Sequence, residues 1–119
     1  MSRRTLYVDV DETLLLHDMA SYPSITSKPI KISCQGRSCV GFAHAAHVEL
    51  IKKFWGLGYD IYIWSKTGKE WAEAVARKLG LRKYVTSYLT KPDYYMDDHP
   101  AEQWMLQRVY IDPETGKQK

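Results

Sequence analysis

Cysteine is scarce in this sequence: among 119 residues only Cys34 and Cys39 occur. A structural zinc site takes about four ligands, and no second cysteine pair is present to supply them. The two are separated by Gln35-Gly36-Arg37-Ser38, a spacing that lets them face one another across a hairpin, and in a reducing compartment two free thiols are expected. Long apolar runs are missing as well. No stretch approaches the roughly 20 residues that span a bilayer, and Met1-Ser2-Arg3-Arg4 passes directly into a strand-like segment without the apolar region of a signal peptide. A cytoplasmic chain with no membrane partner is the expectation. Charge of one sign is also lacking: 17 basic against 14 acidic side chains leave a net charge of +3, which neither marks a nucleic-acid binder nor excludes an anionic substrate. Repeats and low-complexity segments are absent, and at this length, with 45% hydrophobic residues, one domain over residues 1–119 is expected.

What is present alternates. Thr5-Leu6-Tyr7-Val8-Asp9-Val10 is a short apolar, β-branched and aromatic run that reads as a buried parallel strand and ends in acid. Pro23, Pro29 and Gly36 break up the pattern from Leu14 to Phe42; a β-hairpin from Ile30 to Phe42, turning near Gln35 to Arg37, is predicted as a flap occupying about residues 28–42. A helix from Ala45 to Trp55 puts Val48, Ile51, Lys52 and Trp55 on one face, and Gly56 or Gly58 stops it. A strand at Tyr59 to Trp64 follows, then a helix from Glu70 to Leu79 closed by Gly80. Strands at Tyr84 to Leu89, Tyr94 to Met96 and Val109 to Ile111, a helix at Ala101 to Gln107 and a polar tail over 113–119 complete the series. The alternation is that of an α/β fold with a mostly parallel sheet.

Polar clusters stand where the predicted strands end: Asp9-Val10-Asp11-Glu12-Thr13 after the first, Ser65 after the second, and Lys91 with Asp97-Asp98 around the strand at 94–96. The carboxyl ends of parallel strands are where open sheets bind ligands. Asp-x-Asp-x-Thr after a hydrophobic strand, a Ser after a second strand, a Lys, and then an apolar run into Asp-Asp resembles the four-motif signature of the haloacid dehalogenase (HAD) superfamily phosphatases. The match spans most of the chain, and its four elements stand in the family's order. The resemblance implies a three-layer Rossmann-like sandwich, with the small hairpin as a flap and no room between Asp9 and Ser65 for a cap domain.

It also implies a magnesium-dependent phosphomonoester hydrolase working through an aspartyl-phosphate on Asp9. A phosphate monoester is a dianion, so a carboxylate nucleophile approaching it needs a cation between them, and grouped carboxylates suit a hard, oxygen-seeking ion. Asp9, Asp11, Asp97 and Asp98 are the metal candidates, with Asp98 expected to ligate directly. Asp11 would protonate the leaving oxygen and later deprotonate water. Ser65 and Lys91 would stabilise the charge on the transferred group, and Lys66 beside Ser65 is a further substrate-binding candidate, as are Tyr22 and Arg37 on the flap side. Thr13 is read as capping the loop after the first strand. An open site admits a phosphorylated small molecule, a nucleic-acid end or a phosphoprotein.

Other readings compete residue by residue. Asp9 and Asp11 alone suit a turn, and Ser65 a helix cap. His44 and His47, three residues apart on a helix, read as a solvated or satisfied pair for want of a third ligand. Trp71, like Tyr62 and Trp64, reads as packing. A receiver-type switch also groups acids, a Ser or Thr and a Lys around magnesium, but has its acidic pair first, whereas here the adjacent pair comes last. The remaining alternative is a catalytically silent HAD-like module that binds a metal, a nucleotide or a protein.

Overall fold

The computed structural model describes residues 4–23 and 25–105. Its elements run β1 (Thr5–Asp9), β2 (Leu15–Leu16), β3 (Pro29–Cys34), β4 (Arg37–Ala43), α1 (Ala45–Gly56), β5 (Asp60–Ser65), α2 (Lys69–Lys78), β6 (Ser87–Thr90) and α3 (Ala101–Trp104), with single 3-10 turns at Met19–Ser21 and Arg82–Tyr84. The chain is thus a small α/β protein combining parallel and antiparallel strands with helices.

One sheet is parallel, in the order β1-β5-β6, and the other antiparallel, in the order β2-β4-β3. The register of the parallel sheet sets the site. Asp9 lies opposite Trp64, and Ser65 lies opposite Thr90, so the last residues of the three strands finish almost level. Alternation along β5 decides which face is buried: Ile61, Ile63 and Ser65 are enclosed, and Tyr62 and Trp64 between them are only half-buried. Val48 and Ile51 from α1 and Ala72, Val75 and Ala76 from α2 join Ile61 and Ile63 in a single core with Val10, Leu14 and Leu15. Each large aliphatic side chain fully buried there contributes roughly 1.5–3 kcal/mol. On the opposite face Tyr7 stacks on Tyr62 at 5.0 Å and meets Trp64 edge-on at 4.8 Å.

β3 and β4 of the antiparallel sheet form the expected hairpin, longer by one residue at each end than the Ile30–Phe42 span read from sequence. Cys34 pairs with Arg37, leaving Gln35 and Gly36 as a two-residue turn with φ of 52° and 77°. Two successive positive φ angles match the twist of a tight hairpin, and glycine reaches that conformation without cost. Because Cys39 pairs with Ile32 and not with Cys34, the two thiols sit diagonally across the ladder, and both are free. Gly41 is the point where the flap rests on the body: a Cβ there would lie 2.7 Å from Leu15 Cδ1 and 3.1 Å from the Leu16 carbonyl.

Three sequence expectations change. The strand at 84–89 begins only at Ser87, since Arg82–Tyr84 form a tight turn; its parallel pairing to β5 is nonetheless regular. The strand at Tyr94 to Met96 does not form. Its residues make no ladder, and Tyr94 and Met96 are 94% and 101% exposed; three apolar residues between Pro92 and Pro100 have neither a partner strand nor a core to enter. The helix at 101–107 is seen as Ala101–Trp104, while its last two residues, the strand at Val109 to Ile111 and the tail 113–119 lie outside the described residues. No helix among the described residues is long and apolar enough to cross a membrane.

Candidate functional site

The loop after β1 is held by its own backbone. The Val10 carbonyl accepts from the amides of Thr13, Leu14 and Leu15 at 3.1, 2.8 and 3.1 Å, and the Glu12 amide returns a bond to the Leu15 carbonyl at 2.8 Å. Closing so tight a turn puts Glu12 at φ 63°, a left-handed conformation that costs a non-glycine residue about 1 kcal/mol or more. Leu14, Leu15 and Leu16, fully buried, anchor the far side of the loop, and the His44 amide donates to the Leu14 carbonyl at 2.9 Å. Asp9 and Asp11 therefore project from a fixed turn, each about one-third exposed at its side chain.

Four of the residues picked out in the sequence converge here. Lys91 Nζ lies 3.8 Å from Asp9 Oδ1, and Thr13 Oγ1 donates to Asp9 Oδ2 at 3.3 Å. Ser65 Oγ stands 3.5 Å from Asp11 Oδ2, a long contact, and accepts from the Thr67 amide at 3.1 Å. The Lys91 amide donates to the Ser65 carbonyl at 2.9 Å, tying the end of β6 to that of β5. Ser65 is fully buried, so its hydroxyl backs Asp11 and does not face solvent. Thr13, expected only to cap, touches the Asp9 carboxylate.

Three residues are not drawn in. Lys66 is exposed and paired with Asp93 at 2.9 Å, a bond that holds the Asp93 carboxyl below the usual carboxylate range. Asp97 and Asp98 form a separate exposed group with His99, which bonds Asp98 through Nδ1 at 2.9 Å and Asp97 through its amide at 3.3 Å. Among the described residues this is the one set of three acidic, His or Cys side chains whose ligand atoms lie within 4.8 Å of one another. Asp97 and Asp98 do not share such a set with Asp9 and Asp11, because the strand at 94–96 that was to deliver them is not formed.

Sequence reasoning missed two partners of Asp11. Trp71 Nε1 donates to Asp11 Oδ1 at 3.2 Å, although the residue was read as packing, and His17 Nε2 lies 2.8 Å from the same oxygen. The available signal for Trp71 was an N–H donor in the first turn of the helix that follows Ser65. Glu12 holds the segment that carries His17: it accepts from the His17 amide at 3.2 Å and from the Tyr22 hydroxyl. That bond, more than burial, pushes the Tyr22 phenol up to about 12.

Behind the loop His44 and His47 stack with ring centres 3.5 Å apart and are 1% and 3% exposed. His44 caps α1, its Nδ1 accepting from the His47 amide at 3.3 Å, and His47 Nδ1 bonds the Thr13 carbonyl. His47 Nε2 is buried without a hydrogen-bond partner among the described residues. Burial, opposed by the Thr13 bond and helped by His44, holds the His47 pKa below its usual range. The unfolded chain therefore binds more protons on this residue, near its ordinary value of about 6.5, than the folded chain does. Stability is expected to be intact above that value and to fall as pH drops from about 6.5 toward the lower folded value. Thermal unfolding across this range, flattened in His47→Gln, checks it.

Beside Asp11 a cavity of about 640 Å³ opens between the flap tip and the start of α2, with Cys34, Arg37, Cys39, Thr67 and Trp71 in its lining. Burial, and then the Asp11 charge, push the Cys39 thiol up. The fold and site together define a small α/β protein with an acidic cluster at the carboxyl ends of parallel strands. No protein-family model, no curated protein and no solved structure matches the chain.

Proposed function

We propose that the chain is a phosphomonoester hydrolase of the HAD type, built on that superfamily's three-layer Rossmann-like plan, with Asp9 as nucleophile and Asp11 as general acid and base. The observation that carries the reading is the meeting of Asp9 and Asp11 from one loop with Ser65 and Lys91, three separate places in the sequence, at the level ends of β1, β5 and β6. A turn or a cap explains any one of these residues; neither explains a carboxylate facing a lysine beside a second carboxylate held by three side chains.

Asp9 Oδ1 forms a bond to phosphorus as the bond from phosphorus to the ester oxygen breaks, and protonated Asp11 gives its proton to the departing oxygen. Asp11, now a carboxylate, takes a proton from water, whose oxygen attacks phosphorus and releases phosphate from Asp9. Trp71 and His17 hold Oδ1 of Asp11, and Ser65 backs Oδ2. His17, more than one-third exposed, links the acid to solvent. Lys91, 3.8 Å from Asp9, offsets charge on the phosphoryl oxygens.

A magnesium ion fits the donor types present, since it takes one or two carboxylates with phosphate oxygens and keeps several waters. The Asp9 carboxylate and the Asp11 main-chain carbonyl are the groups here that would hold it, and when bound it neutralises the approach of one anion to another. Asp97 and Asp98, grouped with His99, are not needed for that donor set.

Hydrolysis of a chromogenic aryl phosphate is the test. Turnover is expected with magnesium and expected to vanish with a chelator, returning when the metal is restored. No turnover of this or of natural phosphate esters by metal-replete protein would favour the silent binding module.

A further inference from the structure

The cavity beside Asp11 has one wall on the flap and one on α2, and the flap wall carries a cation. Arg37 sits next to the hairpin turn and has no ion-pair partner among the described residues. The neighbouring lysines are committed, Lys66 to Asp93 and Lys91 to Asp9. The α2 wall offers the indole of Trp71. We infer that this cavity seats the leaving alcohol of the substrate, and that it is shaped for a nucleotide bearing a second phosphate, which Arg37 binds.

The step rests on the phosphohydrolase reading, because it is Asp11, as the acid that protonates the leaving oxygen, that directs the alcohol into the cavity it lines. A volume of about 640 Å³ lies within the roughly 300–1,000 Å³ of small-molecule sites. A planar base stacks on an indole without regard to its identity, and the planar guanidinium is the side chain best matched to a phosphate. Cys39, kept as a neutral thiol by burial and by Asp11, adds no negative charge against such a group. The other uncharged linings, Thr67 among them, supply donors and acceptors for a sugar.

Calorimetric titration of Asp9→Asn in magnesium buffer provides the test, since a variant without the nucleophile does not consume the probes. Three probes are compared: adenosine 3′,5′-bisphosphate, adenosine 5′-monophosphate and a phosphoserine peptide with an acidic neighbour. The bisphosphate is expected to bind about tenfold more tightly than the monophosphate, and adding Arg37→Gln is expected to erase that ratio, with Arg37→Lys restoring part of it. Matched circular dichroism and unfolding curves confirm that the variants fold. A ratio near one, a ratio that survives Arg37→Gln, or tighter binding of the phosphopeptide than of either nucleotide would overturn the inference. Its failure is separable from that of the enzyme reading. Aryl phosphate turnover without an Arg37-dependent ratio removes only the nucleotide subsite, whereas an Arg37-dependent ratio in a protein that never turns over removes the hydrolase, and with it the leaving-group role of the cavity, and leaves a nucleotide-binding site.

Discussion

Replacing Asp9 with Asn is expected to lower turnover of an aryl phosphate by about a thousandfold or more while leaving the protein folded. The amide has the size of the carboxylate and can still accept from Thr13, but it is not a nucleophile toward phosphorus. Asp9 is partly exposed and forms no part of the core, so unfolding should shift by no more than about 1 kcal/mol. Steady-state rates beside a thermal unfolding curve check both halves. Wild-type turnover in Asp9→Asn would mean that a different group, or water alone, attacks phosphorus.

Asp11→Asn should behave differently, because its defect depends on the group that departs. For an alkyl phosphate, whose alkoxide leaves poorly without a proton, a loss of about 10²–10⁴-fold is expected. For an aryl phosphate with an acidic phenol the first step needs little help, and the defect moves to the attack of water. The phosphorylated protein should then accumulate, and a burst of phenol should precede a slow steady state. Pre-steady-state release of the phenol distinguishes the two cases. Equal losses on both substrates would assign Asp11 a structural role, which Ser65, Trp71 and His17 gathered around its carboxylate make physically reasonable.

Elements that bury one side of a regular pattern were legible in the sequence. The helices over residues 45–56 and 69–78, and the strands feeding Asp9 and Ser65, follow from apolar spacing, and the hairpin follows from Gly36 between two β-rich runs. The strand at 94–96 was misread because Tyr-Tyr-Met has strand composition, and composition does not say whether a neighbour exists to pair with it. Asp9, Asp11 and Ser65 were legible because each ends or follows a strand of one parallel sheet; Lys91 was placed around the strand at 94–96, which does not form, and it reaches the site from the end of β6. The partners of Asp11 were not legible. His17 reaches it through a turn that depends on Glu12 at positive φ and on Tyr22 holding Glu12, and Trp71 reaches it from the first turn of α2. Both depend on tertiary placement that no local spacing records. The His44 and His47 pair was read as satisfied or solvated; it is enclosed, and one of its nitrogens is left without a partner among the described residues.

The most direct measurement is of the covalent intermediate. Protein mixed with an aryl phosphate and magnesium is quenched in acid, reduced with borohydride to convert an acyl phosphate to its alcohol, and mapped by peptide mass spectrometry. Homoserine at position 9, absent without substrate and more abundant in Asp11→Asn, is the expected result. Turnover with no modified residue, or modification at Asp11 or Asp98 in place of Asp9, would contradict the aspartyl-phosphate mechanism.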